Sequence, residues 1–211
     1  MKLILVDLIP DLCTAWEKHF KGLPNVEVAN QRFESLPEFD CMVSAANSFG
    51  LMDGGVDAAI THFFGEELML RVQTRIIEDY FGEQPVGTSM IVETEDEKHP
   101  YIAHTPTMRV PMDIRGTDNV YLAMAAMLRA VHHHNKANAN QINRVACPGL
   151  GTLTGRMPFD EAARQMALAY RVYLNPITNI NWHVANKRSV DVGYGDYDGF
   201  IRWQILNRND S

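Results

Sequence analysis

The sequence predicts an α/β sandwich built on a largely parallel sheet. Short apolar runs at Leu3 to Leu8, Cys41 to Ala45 and Asn143 to Cys147 read as strands. They alternate with stretches whose apolar residues recur at helical spacing, the signature of strand–helix–strand units. Two of the strand-to-helix junctions, Asn47–Asp57 and Pro148–Arg156, are rich in glycine.

Taken in order, Leu3 to Leu8 is a buried strand, and Pro10 suits a first helical position. Leu12, Ala15, Trp16, His19 and Phe20 carry that helix until Gly22 and Pro24 end it. Val26 to Ala29 is a short strand, Asn30 to Pro37 a loop, and Cys41 to Ala45 a central strand. Val56, Ala59, Ile60, Phe63 and Phe64 form one helical stripe; Leu68, Val72, Ile76 and Tyr80 form a second, with Gly65 as the break. Ser89 to Thr94 and Tyr101 to Thr105 read as strands, the latter followed by a proline-punctuated loop from Pro106 to Pro111. Asn119 to His132 is an amphipathic helix, Asn143 to Cys147 a strand, and Phe159 to Leu174 a helix opened by Pro158. Beyond Asn175 the rhythm stops: asparagines, glycines and aromatics follow, and Phe200 to Leu206 is either a short strand or a partner-binding tail. The division expected is a domain over 1–174 and an extension over 175–211.

The chain has 211 residues, room for one domain and a modest extension. Its 46% hydrophobic and 21% charged residues are ordinary for a protein that buries a core. A formal net charge of −7 argues against nonspecific binding along a nucleic-acid backbone. Cys13, Cys41 and Cys147 form no CxxC pair, and buried free thiols are expected, which fits a reducing compartment. The N-terminal apolar run is too short for a signal peptide, and no run approaches the ~20 residues of a membrane span. The expectation is a cytoplasmic protein without a membrane partner. Consecutive His132, His133 and His134 point in different directions on a helix, so they read as a solvated helix end; no metal or cofactor is implied. His62 reads as a surface or core histidine, with a place facing the site from the helix as the alternative, and Arg109 as either a phosphate partner or half of a salt bridge.

Both glycine-rich junctions belong at the carboxyl ends of strands, where ligands bind in open α/β sheets. Glycines admit close approach of the backbone to a phosphate, and a following helix N-terminus adds a favourable dipole. Neither junction has the G-x-G-x-x-G spacing or the Gly-Lys-Ser/Thr ending of the common nucleotide loops. Asn47 and Asp57 stand ten residues apart. An Asn amide can donate to and accept from vicinal hydroxyls. The bland alternatives are a turn-stabilising Asn47 and a helix-capping Asp57.

Ala45-Ala46-Asn47, followed by Gly54-Gly55-Val56-Asp57-Ala58-Ala59-Ile60, resembles the signature of macro domains, the ADP-ribose-binding modules: N-A-A-N, a spacer, G-G-V-D and a small-residue helix start. Pro148-Gly149-Leu150-Gly151-Thr152 resembles that family's second phosphate-binding loop. The likeness runs from about Leu3 to Leu174. It implies a three-layer α/β/α sandwich with a mixed, mostly parallel sheet, binding ADP-ribose or an ADP-ribosylated protein. Carried over by position, Ala46, Asn47, Gly54, Gly55 and Val56 would surround the distal ribose and phosphates. Gly149, Leu150, Gly151, Thr152, Leu153, Thr154 and Gly155 would cradle the diphosphate. Asn47 and Asp57 would be the catalytic pair if the protein hydrolyses ADP-ribosyl groups from proteins or acts on ADP-ribose phosphate. The alternative is a binding or assembly module without catalysis, with self-association open. Four positions depart from the pattern: Ser44 for the first Asn, Asp53 within the glycine run, Leu153-Thr154 in the second loop, and Arg32 where an acid would hold the adenine amino group. Phe33 beside it is the candidate for stacking on a base.

Overall fold

A computed structural model describes residues 1–193. The expectation for Phe200 to Leu206 therefore lies outside the described residues. The elements are β1 (Lys2–Val6), α1 (Pro10–His19), β2 (Val26–Ala29), a 3₁₀ turn (Phe33–Ser35), β3 (Cys41–Asn47), α2 (Gly55–Phe64), α3 (Glu67–Tyr80), β4 (Met90–Glu93), β5 (Tyr101–Met108), α4 (Asn119–Ala137), β6 (Arg144–Cys147), α5 (Phe159–Leu174) and α6 (Trp182–Val192).

The six strands form one sheet in the order β2-β1-β6-β3-β5-β4. Every pairing is parallel except β4 with β5. Alternation along the strands gives the sheet two apolar faces. Leu3, Leu5, Cys41, Val43, Val145 and Cys147 pack against α1, α4 and α5. Ile4, Val6, Met42, Ile102 and Ala146 pack against α2 and α3. The result is the expected three-layer sandwich with a mixed, mostly parallel sheet. All three cysteines are buried and free. No helix among the described residues is long and apolar enough to cross a membrane.

α4 runs on past the expected end at His132 to Ala137, and two further stretches differ from the sequence expectation. β5 does not stop at Thr105 but runs through Pro106 to Met108. Proline has no N–H for the ladder, and the register against β3 shifts there: Ala46 faces Pro106, while Asn47 faces Met108. Thr107 Oγ1 donates to the Ala46 carbonyl across the irregularity at 3.3 Å. The second is α6, in a stretch read only as a change of texture. Asn181 caps it, its side chain accepting from Val184 N at 3.0 Å, yet α6 buries no residue. A helix without an apolar stripe leaves no periodic signal. Arg164 on α5 donates to the carbonyls of Asp191 and Val192 at its far end.

Candidate functional site

The parallel core puts the ends of β1, β3 and β6 side by side, and both glycine-rich loops open from that edge. The β3–α2 loop is closed by Asn47 itself. Its Oδ1 accepts from Phe49 N at 3.0 Å and Leu51 N at 3.3 Å, and its Nδ2 donates to the Leu51 carbonyl at 2.8 Å. Ser48 N donates to the Arg109 carbonyl at 3.0 Å, and the Ser48 carbonyl accepts from Gln84 N at 2.8 Å. The loop is thus pinned to both neighbouring connections. Gly54 precedes α2, and Gly55 and Val56 begin it.

The β6–α5 loop folds on its own backbone. Met157 N donates to the Gly151 carbonyl at 3.0 Å, and Ile114 N to the Gly155 carbonyl at 2.9 Å. A Cβ on Gly155 would stand 2.5 Å from the Gly151 carbonyl oxygen, so this curl tolerates only glycine there. Gly149 N donates to Asp7 Oδ2 at 3.3 Å, bringing the end of β1 into the site.

Between the loops lies a small chamber of about 100 Å³, walled by Asp7, Ala45, Gly54, Gly55, Val56, Thr107, Met108 and the stretch from Pro148 to Gly155 apart from Leu150. Beside it, a chamber of about 270 Å³ is bordered by Val6, Leu8, Gln31, Arg32, Phe33, Glu34, Met42 and Ala59. The two share Asp7, Gly55, Val56, Pro148 and Leu153 as walls, and so form one cleft with a narrow end of mixed polarity and a wider, more apolar end. A larger depression of about 590 Å³ lies between α3 and β4, and neither loop reaches it.

Of the residues singled out from sequence, Gly54, Gly55, Val56, Phe33, Gly149, Gly151, Thr152, Leu153, Thr154 and Gly155 line this cleft. Four do not. Leu150 is fully buried in the core beneath α1, α4 and α5, and Ala46 is 2% exposed while its neighbour Ala45 faces the chamber. Asn47 holds its own turn. Asp57 is 5% exposed and faces down onto β3, where Ser44 Oγ donates to its Oδ1 at 2.7 Å. Burial pushes the Asp57 carboxyl up to about 6; the Ser44 hydrogen bond opposes this, and the Asp53 charge adds to it. Phe33 is 6% exposed and wedged edge-on against Phe39 and Phe63, so it offers a ligand only a small part of its ring. Arg32 is two-thirds exposed, with Glu34 3.9 Å away. Arg109 is engaged by Glu83 through two hydrogen bonds of 2.6 and 2.9 Å.

Among the cleft residues that sequence reasoning passed over is Asp7, whose carboxylate accepts from Gly149 N. Its signal was position alone: a carboxylate directly after a strand of a parallel sheet, at the edge where ligands bind.

A family model described as the Macro domain matches residues 43–166. The chain belongs to the macro domain family. Among curated relatives, this macro domain is 32% identical over 134 residues to an uncharacterized protein of Aquifex aeolicus, covering 64% of this chain and 74% of that one. It is 34% identical over 136 residues to an uncharacterized protein of Mycobacterium tuberculosis strain H37Rv, of which it covers 34%. Solved macrodomains share its fold. That of Mycobacterium tuberculosis DarG superposes with a TM-score of 0.53 at 18% identity, over 64% of this chain and 82% of the other. An Oceanobacillus iheyensis macrodomain with ADP gives 0.54 at 23%, over 65% and 71%. A glycine-to-valine mutant of that macrodomain with ADPR gives 0.57 at 20%, over 82% and 78%.

Proposed function

We propose that this macro domain binds ADP-ribose, free or attached to a protein, in the two-chambered cleft. The observation that carries the reading is the convergence of the α2 N-terminus and the β6–α5 loop on one narrow chamber. Backbone N–H groups at a helix start and in a glycine-rich curl suit a diphosphate. The wider chamber, walled by Val6, Leu8, Met42, Val56 and Ala59, suits a base and its ribose. Family membership, together with the ADP and ADPR complexes of the Oceanobacillus macrodomain, supports the same ligand.

Removal of ADP-ribose from modified proteins, or turnover of ADP-ribose phosphate, is the enzymatic extension of this reading. It would engage Asn47 and Asp57, both of which are held by internal hydrogen bonds in the structure. A catalytic role for them requires the β3–α2 loop to open when substrate enters. The 175–211 extension is read as an appendage to the 1–174 domain, and a cytoplasmic site of action as the compartment suited to its free thiols.

Calorimetry with ADP-ribose tests the binding reading: saturable one-to-one heat is expected, and absence of heat with ADP-ribose, ADP and AMP alike would overturn it. Incubation with a protein carrying ester-linked ADP-ribose tests the enzymatic extension. Release that is lost in Asp57→Ala, with the fold retained, supports it; no release by the wild type removes it.

A further inference from the structure

ADP-ribose has three parts in line: adenosine, diphosphate and a second ribose, through which it is joined to a protein. With the base in the wide chamber and the diphosphate in the narrow one, the second ribose has one direction left. The wide chamber lies at the β1 end of the cleft, among Val6, Leu8 and Arg32. The narrow chamber reaches along the sheet edge, past β6 and β3, to Thr107 and Met108 of β5. The second ribose and its attachment therefore leave on the β5 side, over the β5–α4 connection and its neighbours.

Three connections meet there and hold one another. Ser48 of the β3–α2 loop donates its N–H to the Arg109 carbonyl at 3.0 Å, and its carbonyl accepts from Gln84 N of the α3–β4 turn at 2.8 Å. From these three connections stand Leu51, Phe81, Val110 and Met112, which are 49%, 98%, 46% and 49% exposed. Val110, Pro111 and Met112 are three exposed apolar residues in a row, a pattern that a folded surface carries for a use. Phe81 follows the last turn of α3 in left-handed backbone, with φ 55°, a place that favours glycine. The fold gains no burial from an aromatic there. Arg109 and Asp113, which flank Val110 and Met112, are taken up by Glu83 and Arg115, so these charges neutralise in pairs. What remains for a partner is apolar.

We propose that this face docks the protein side of an ADP-ribosylated partner and reads an apolar segment beside the modified residue. This rests on the cleft being an ADP-ribose site. Four side chains present on the order of a few hundred Å², well short of the ~800 Å² per partner in a stable protein–protein interface. A second copy of this chain is therefore a poor occupant. A short segment tethered through its ADP-ribose needs no larger area, because the tether supplies a high local concentration. The cleft then recognises the modification, and the face beside it selects among modified proteins.

The test is calorimetry of the whole protein with free ADP-ribose and with three short synthetic peptides, each carrying one ADP-ribose through a hydrolysis-resistant link. One peptide flanks the modification with Leu and Val, one with Gly and Ser, one with Asp and Lys. The Leu/Val peptide is expected to bind roughly tenfold tighter than free ADP-ribose, and the other two within about threefold of it. The double variant Phe81→Asn/Met112→Ser, at two exposed positions, is expected to remove that gain while keeping the wild-type melting temperature and the affinity for free ADP-ribose. Equal affinity for the three peptides, or tightest binding of the charged one, overturns the docking face. So does a Leu/Val preference that survives in the double variant. Sedimentation of the free protein addresses the other occupant: a dimer that the double variant dissociates gives the face to a second copy and overturns the proposal. Binding of free ADP-ribose without any peptide preference leaves the ligand reading standing and removes the docking face alone. No binding of ADP-ribose, free or attached, removes both.

Discussion

Asn47 commits both ends of its amide to its own loop, and this makes it a structural residue of the site whatever else it does. Asn47→Ala removes three hydrogen bonds. At about 0.5–1.5 kcal/mol each, partly recovered by water, a loss on the order of 1–3 kcal/mol is expected in urea unfolding. The β3–α2 loop should loosen at the same time, with protease cutting near Leu51 as the readout. Asp57 gives a pH-dependent prediction. Its carboxyl is raised from the ordinary 3.8 to about 6 in the fold, so the folded state holds a proton that the unfolded chain releases. Its stabilising contribution is complete below about pH 4 and lost as pH rises through about 6, on the order of 3 kcal/mol in all. His104 works in the opposite sense. Its folded value is depressed to about 3, so its contribution is present above about 6.5 and lost as pH falls. The difference between Asp57→Asn and wild type cancels the histidine term. It should shift in favour of the Asn variant as pH climbs from 4 to 7; a difference flat across that range would contradict the assignment. The residue spacing announced the Asn47–Asp57 pair, but not that each would be turned inward. That depends on Ser44 and on Leu51, partners no spacing rule names.

At the scale of elements, the β6–α5 curl is the rigid wall of the cleft. Gly155→Ala would drive a Cβ against the Gly151 carbonyl and Ile114. The expected cost is about 1–3 kcal/mol, with weakened ADP-ribose binding measured by calorimetry. α6 should behave differently, because it buries no residue. Ending the chain after Leu174 is expected to leave the melting temperature of the remaining domain within about 3 °C of the whole protein, since no side chain of α6 is buried. A collapse of the truncated chain would show that the extension belongs to the core. Most elements were legible because each needs an apolar stripe and the stripes are strong, as in Leu68, Val72 and Ile76 of α3. The full length of β5 was not, because Pro106 reads as a breaker, and only the shift against β3 lets it stay. α6 was invisible because its capping Asn181 is one asparagine among several and no stripe follows.

For the whole molecule, a ligand at 100 times its dissociation constant stabilises by about 2.7 kcal/mol. In a domain of this size that raises the melting temperature by roughly 5–10 °C, and a thermal-shift series with ADP-ribose, ADP, AMP and NAD reads it directly. The net charge of −7 opposes an anionic ligand at long range, so the rise is expected to grow with moderate salt if distant charges matter and to hold steady if the local N–H groups dominate.

The sheet order adds a consequence in time. β6 lies between β1 and β3, so Lys2 pairs with Arg144 and Leu5 with Cys147. During synthesis the N-terminal β1–β2 pair and the later β3–β5 block are made first, with the strand that joins them still to come. Parallel pairings so distant along the chain are slow to form. The cleft, drawn from the ends of β1, β3 and β6, is therefore assembled only when β6 threads into the middle. A nascent chain stalled before Arg144 is expected to expose the open edges of both halves and to recruit chaperones, and full release from them should coincide with the first appearance of ligand binding.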